Sequence, residues 1–259
     1  MSGRARARWH CLDGRRVRVL EAGSGAPLVV VHGLGLSASF WAPHFPALTA
    51  AGQRVIAPDL PGFGRSEGIG RGMSVPETSA WLLALADEIG LDRATWLGHS
   101  LAAQAVLDVV VRAPARSTAL VLVTPTGAPG RLRLLRQCYG FVRDIGREPL
   151  ALIPVVAREW ARGSLRASVE TWVKAARDDP LDKAAGVRCP TLLVVGRRDP
   201  VVPRRYVEGL CRRIEGARGV EVPGAGHGVV FDRRDAFDRI VARFVRGCGE
   251  GGAAAGRPA

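Results

Sequence analysis

The chemistry of this chain is concentrated at Gly98-His99-Ser100-Leu101-Ala102, where a hydroxyl sits between small residues, after the apolar run Ala94-Thr95-Trp96-Leu97 and before an Ala-rich helical stretch. A serine on a sharp strand-to-helix turn has a strained backbone, so it needs small neighbours two positions to either side, and the turn lifts Oγ clear of the sheet. Gly98 and Ala102 meet that need. The helix that follows points its N-terminal N–H groups and partial positive charge at the reacting centre. A serine hydroxyl is a weak nucleophile at its free pKa. Attack requires a base within hydrogen-bond reach and a third group to fix the tautomer of that base.

Four further segments accompany the serine. His32-Gly33-Leu34-Gly35 follows the apolar run Leu28 to Val31, and Asp59-Leu60-Pro61-Gly62-Phe63-Gly64-Arg65-Ser66 follows a short strand. Asp199 follows Thr191 to Gly196, and His227 lies in a Gly-rich loop beyond Val220-Glu221-Val222. In chain order this reads Ser, Asp, His. The set resembles the α/β-hydrolase family over about Leu28 to Phe244, with Ala102 standing where the family's elbow has glycine. The resemblance implies Ser100 as nucleophile, Asp199 as acid, His227 as base, and the backbone N–H groups of Leu34 and Leu101 as the oxyanion hole. Gly33 and Gly35 would let the loop approach closely, and Gly98 would do the same for the elbow. The plainer readings are a turn aspartate or ion-pair partner at Asp199 and an inert loop histidine at His227.

The other histidines have lesser roles in this reading. His32 shapes the oxyanion loop through hydrogen bonds, His99 turns into the surroundings of the elbow, and His10 and His44 have no catalytic context. No histidine pair has a metal-ligand spacing such as HExxH, so no metal is implied, and the Gly-rich loop at His32 lacks the GxGxxG spacing and lysine of a phosphate cradle. Asp59 to Ser66 is expected to form a structured turn behind that loop, with Asp59 capping backbone groups.

These motifs need a scaffold that holds them at strand ends. Unbroken apolar runs at Leu28 to Val31, Val55 to Ala57, Ala94 to Leu97, Ala119 to Val123 and Leu192 to Val195 alternate with helical segments. That rhythm predicts an α/β architecture, a mostly parallel central sheet flanked by helices, with the site at the carboxyl ends of the strands. Val17 to Leu20 reads as an edge strand. Ser74 and Glu77 have capping-box spacing for a helix that runs to about Ile89 and stops at Gly90, and Asp179-Pro180 opens a short helix. Between Pro125 and Val187 the rhythm breaks into amphipathic patterns. Leu135, Cys138, Tyr139, Val142 and Ile145 share one face, and Leu165, Val169, Trp172, Val173 and Ala176 another. The division expected is a core at 1–124 and 187–246, a helical cap at 125–186, at the family's usual insertion point, and a disordered tail at 247–259.

The composition of the 259 residues suits one large domain, with 47% hydrophobic residues to build its core. The basic N-terminus leads into Trp9-His10-Cys11-Leu12-Asp13 instead of a secretory apolar region, and no run approaches the roughly 20 residues of a membrane span. A cytoplasmic protein without membrane insertion is expected. The cysteines, Cys11, Cys138, Cys189, Cys211 and Cys248, are scattered and odd in number, so they are read as reduced, mostly buried thiols. A net charge of +13 invites a nucleic-acid reading, but the basic residues are dispersed and, except for Lys174 and Lys183, all arginine. That skew fits coding bias. The Arg4-Arg6-Arg8 and Arg15-Arg16-Arg18 alternations are taken as solvated faces. A positive field could still draw in an anionic substrate or an acidic carrier protein.

The function expected is a serine hydrolase cleaving an ester, thioester or lactone of a mainly apolar small molecule, with no cofactor. Phe40, Trp41, Tyr139, Phe141, Trp160, Trp172 and Phe231 are candidates for its pocket wall. Carbon–carbon bond hydrolysis is the alternative within enzymes, although relatives of that kind commonly carry tryptophan directly after the histidine, where Gly228 stands. Dehalogenase and epoxide-hydrolase relatives use aspartate at the position of Ser100. A non-hydrolytic cyclase or small-molecule receptor is the alternative from another class.

Overall fold

The structure is a computed structural model that describes residues 5–128, 137–140, 143 and 164–254. Its centre is an eight-stranded sheet in the order β1-β2-β4-β3-β5-β6-β7-β8. The strands are β1 (Arg6–Leu12), β2 (Arg15–Ala22), β3 (Ala26–Val31), β4 (Gln53–Pro58), β5 (Ala94–His99), β6 (Ser117–Val123), β7 (Thr191–Gly196) and β8 (Arg218–Val222). β1 pairs with β2 and β2 with β4 in antiparallel fashion, and all the other pairings are parallel.

The unbroken apolar runs are explained by burial on both faces. In β3, Val29 and Val31 face one hydrophobic cluster with Leu82 and Val106, while Leu28 and Val30 face another with Trp41, Phe45 and Phe237. Successive side chains of a strand point to opposite faces, so a strand covered on both sides has no polar position to spare. The covering helices are α1 (Phe45–Ala50), α2 (Val75–Glu88), α3 (Leu101–Arg112), α4 (Leu165–Ala175), α5 (Pro180–Ala184), α6 (Arg204–Arg213), α7 (Val229–Asp232) and α8 (Arg234–Ala254), with a 3₁₀ turn at Ala38–His44. The capping box of α2 forms as its spacing predicts. Ser74 Oγ accepts from the Glu77 N–H at 3.4 Å and Glu77 Oε2 accepts from the Ser74 N–H at 2.7 Å.

Several expectations change. Val17 to Leu20 lies inside β2, which is not an edge, because β1 pairs outside it through a turn at Asp13 and Gly14 with φ of 51° and 71°. An Asp-Gly pair between strand-like segments is a strong hairpin signal that the sequence reading passed over. α8 runs to Ala254, into the segment 247–259 expected to lack order. A helix already nucleated adds one hydrogen bond per residue it fixes, which carries it into a small-residue tail. Of the insertion, α4 and α5 are described, and most of the first amphipathic face lies outside the described residues. On α4 the apolar stripe Leu165, Val169 and Val173 is exposed. The buried side is Ala167, Ser168, Thr171 and Ala175, whose small side chains allow close packing. None of the five thiols is fully buried, and Cys11 and Cys138 are exposed.

Candidate active site

Ser100 stands between β5 and α3 with φ of 57° and ψ of −118°, a conformation an L-residue holds only when its surroundings enforce it. Its N–H donates to Val123 O on the neighbouring β6 at 2.8 Å. A Cβ added at Gly98 would lie 2.5 Å from Ala102 O and 2.7 Å from Val106 Cγ2, so glycine is required where α3 folds back over β5. Ala102 itself is accommodated in the core at 1% exposure.

Asp199 and His227 come from the ends of β7 and β8. His227 Nε2 lies 2.9 Å from Ser100 Oγ, and its Nδ1 lies 2.9 Å from Asp199 Oδ2. A carboxylate only accepts, so Nδ1 carries the proton and the neutral ring presents a bare Nε2 to the hydroxyl. The other carboxylate oxygen accepts from the Val201 N–H at 2.7 Å and the Val202 N–H at 3.0 Å, which fixes the plane of the group. Both side chains are buried, so their mutual attraction is little screened.

The two loops are laced together. Arg197 N–H donates to Val222 O at 3.0 Å and Arg198 N–H to Ala225 O at 2.9 Å, while Asp232 Oδ2 accepts from the Gly226 N–H at 2.7 Å. Gly196 makes this approach possible, because a Cβ there would lie 2.1 Å from Gly226 O. The sequence reading did not single out Gly196 or Asp232. The only sequence signal for Gly196 is a glycine closing an apolar run.

The loop after β3 brings Leu34 beside Leu101. Neither backbone N–H has a hydrogen-bond partner among the described residues. Gly33 abuts the elbow, and a Cβ on it would meet His99 Nδ1 at 2.9 Å and Ser100 Cβ at 3.4 Å. His32 is buried, its Nδ1–H donating to Gly33 O at 2.9 Å and its Nε2 accepting from the Leu60 N–H at 3.0 Å. It therefore ties this loop to the one after β4. There Asp59, fully buried, caps the Ala38 and Arg65 N–H groups at 2.7 Å each and takes a forked pair of bonds from Arg18 at 2.7 and 3.0 Å. Arg18 is thus a buried ion-pair partner, not part of a solvated face, whereas Arg15 and Arg16 are exposed.

His99 lies beside His227, stacked on Phe40 with ring centroids 5.5 Å apart. Burial pushes its ring down to about 3, and the neighbouring His227 pushes in the same direction. It stays neutral and adds no second positive charge beside His227. Trp41 is core, Tyr139 is exposed, and Phe141 and Trp160 lie outside the described residues. A cavity lined by Leu34, Leu101, Met73, Phe63 and Thr171 adjoins the Leu34 loop beneath α4. α4 is latched there. Glu170 Oε2 accepts from the Gly72 N–H at 2.8 Å, and Lys174 Nζ donates to Gly72 O at 2.7 Å. Among the described residues no cluster of three potential metal ligands occurs, and no helix is long and apolar enough to cross a membrane.

Comparison with known proteins agrees with this architecture. The chain is 32% identical over 260 residues to the dihydrolipoyllysine-residue acetyltransferase component of the acetoin cleaving system of Pseudomonas putida, covering 91% of this chain and 68% of that protein. It is 24% identical over 270 residues to 2-hydroxy-6-oxo-6-phenylhexa-2,4-dienoate hydrolase of Burkholderia cepacia, covering 90% and 92%. The enol-lactonase of Burkholderia xenovorans LB400 shares the fold with a TM-score of 0.80 at 22% identity, over 92% of this chain and 99% of that one. A family model matches residues 28–240, from within β3 to the first third of α8, and by that match the chain belongs to the alpha/beta hydrolase family.

Proposed function

We propose that this hydrolase cleaves a carboxylic ester, thioester or lactone of a mainly apolar small molecule through an acyl-enzyme at Ser100. The observation that carries the reading is the buried line from Asp199 through His227 to Ser100, 2.9 Å at each step. Ser100 Oγ attacks the carbonyl carbon as His227 Nε2 takes its proton. The oxyanion lies against the Leu34 and Leu101 N–H groups, where loss of one donor would cost roughly 3 kcal/mol of transition-state stabilisation. As the carbonyl re-forms, the bond to the leaving group breaks and Nε2 returns the proton to the departing oxygen or sulfur. Water, deprotonated by the same nitrogen, then releases the acid and restores Ser100. Asp199 holds the Nδ1–H tautomer and stabilises the imidazolium. Every step uses groups of the chain and water, so the reading requires no cofactor. The +13 charge would favour anionic substrates or an acidic carrier protein.

Carbon–carbon bond hydrolysis is the second reading, favoured by similarity to the phenylhexadienoate hydrolase. The test is turnover of chromogenic esters and acyl thioesters from acetyl to lauroyl, beside a vinylogous diketone, by wild type and Ser100→Ala. A fall of about 10⁴-fold or more in Ser100→Ala on the esters supports the first reading. Equal turnover by the two proteins removes it, and serine-dependent turnover of the diketone alone selects the second.

A further inference from the structure

A second histidine–carboxylate pair opens on a separate cavity. His44 ends the 3₁₀ turn Ala38–His44, and its Nδ1 lies 2.6 Å from Oδ1 of Asp238 on α8. The ring is 3% exposed and held edge-on by Trp41 and Phe237, with centroids 5.5 and 5.3 Å away. Its Nε2 makes no hydrogen bond among the described residues. With its Nδ1 edge satisfied, the ring has one edge, Nε2, left to offer a partner from the cavity side.

His44 lines a cavity of about 540 Å³ between the 3₁₀ turn and the start of α8. Phe40, Pro43 and Phe231 give it apolar walls. Arg239 also lines it, exposed and with no ion-pair partner among the described residues. The 21-residue helix α8 begins at the same cavity and contributes the positive end of its dipole. Asp232 and Asp235 line it as well, the first bonded to the Gly226 N–H at 2.7 Å and the second 3.8 Å from Arg234 Nε. Arg233 and Arg234 line it too, so with Arg239 three arginines stand against these two aspartates, and the lining suits one negative charge on an apolar body.

We propose that this cavity binds an amphiphilic monocarboxylate, its carboxylate between His44 Nε2–H and the Arg239 guanidinium and its hydrocarbon against Phe40 and Phe231. Asp238 balances the imidazolium that such a contact requires. The occupant would press on the wall of the candidate active site, since Phe40 stacks on His99 and Phe231 follows His227 by four residues. The inference does not depend on the reaction proposed for Ser100.

Calorimetric titration of the full chain with 4-phenylbutyrate, and with 4-phenylbutanol as its uncharged counterpart, tests it. Wild type should prefer the carboxylate by about tenfold or more, the scale of one charge-assisted hydrogen bond. Arg239→Glu, an exposed change that leaves the core untouched, should remove that preference, and His44→Gln should do the same. In ring-¹⁵N spectra the His44 resonances should move with the carboxylate and not with the alcohol. Absence of binding by wild type, equal binding of acid and alcohol, or a preference that survives in Arg239→Glu overturns the proposal.

Discussion

Asp199→Asn replaces one carboxylate oxygen by NH₂ with almost no change of shape, and the surroundings dictate which way the amide lies. The Val201 and Val202 N–H groups, 2.7 and 3.0 Å from Oδ1, can be satisfied only by the amide oxygen. The NH₂ must then face His227 Nδ1 across the 2.9 Å now spanned by the carboxylate contact. Nδ1 becomes an acceptor, the ring proton moves to Nε2, and the nitrogen 2.9 Å from Ser100 Oγ can no longer take a proton. The imidazolium also loses its counter-charge. A tautomer inversion of this kind is worth about 10⁴ in kcat, or ~5.4 kcal/mol at 1.36 kcal/mol per factor of ten. Both backbone bonds to the side chain survive, so stability should stay within ~1 kcal/mol. Asp199→Ala, by contrast, strands two buried donors and should cost about 1–3 kcal/mol. The assay is steady-state turnover of the best ester, with urea unfolding of each variant. A fall in kcat of less than about tenfold in folded Asp199→Asn would refute the assignment of Asp199.

Gly98→Ala brings a methyl to 2.5 Å from the Ala102 carbonyl oxygen, a backbone atom that moves only if α3 moves. Overpacking of this kind should cost about 1–3 kcal/mol in urea unfolding and lower kcat more than it raises KM, and unchanged stability and turnover would count against the strained-elbow account. Glu77 is held down at about 2, first by the Arg71 guanidinium 2.7 Å away and then by the Ser74 N–H. A carboxylate whose folded pKa is depressed stabilises the fold above its ordinary value of 4.5, and that contribution is lost as the pH falls toward 2. Because the pair is partly exposed, the advantage of wild type over Glu77→Gln at neutral pH should be only about 0.5 kcal/mol. The difference between their unfolding free energies should shrink below pH 4.5 and vanish near pH 2, and a difference constant across that range would show that the charge is not its source.

What the chain reveals of itself depends on how far apart the interacting residues lie. The elbow at Ser100 is legible because its steric demand is local, written in Gly98 and Ala102 two positions to either side. The capping box of α2 and the Asp179 cap of α5 are equally local, and both form as their spacing predicts. The hairpin turn at Asp13-Gly14 is written just as locally, in two adjacent residues able to take positive φ.

The sequence by itself determined the α/β class, the positions of the buried strands along the chain and the chain order Ser100, Asp199, His227, because periodicity and turn chemistry act over a few residues, whereas the order of the strands in the sheet came from the structure. Tertiary structure decided which polar residues meet. Ser100 and His227 are 127 positions apart, Arg18 and Asp59 41, Gly72 and Glu170 98, and His44 and Asp238 194. Arginines on one short strand read alike in sequence, yet only Arg18 faces a buried carboxylate. His44 has no local signal because its partner arrives on the last helix of the fold. The outward apolar face of α4 follows from the same limit. Hydrophobicity says that a face can be buried, but the small residues Ala167, Ser168 and Thr171, able to pack closely against the Gly72 loop, settle which face is.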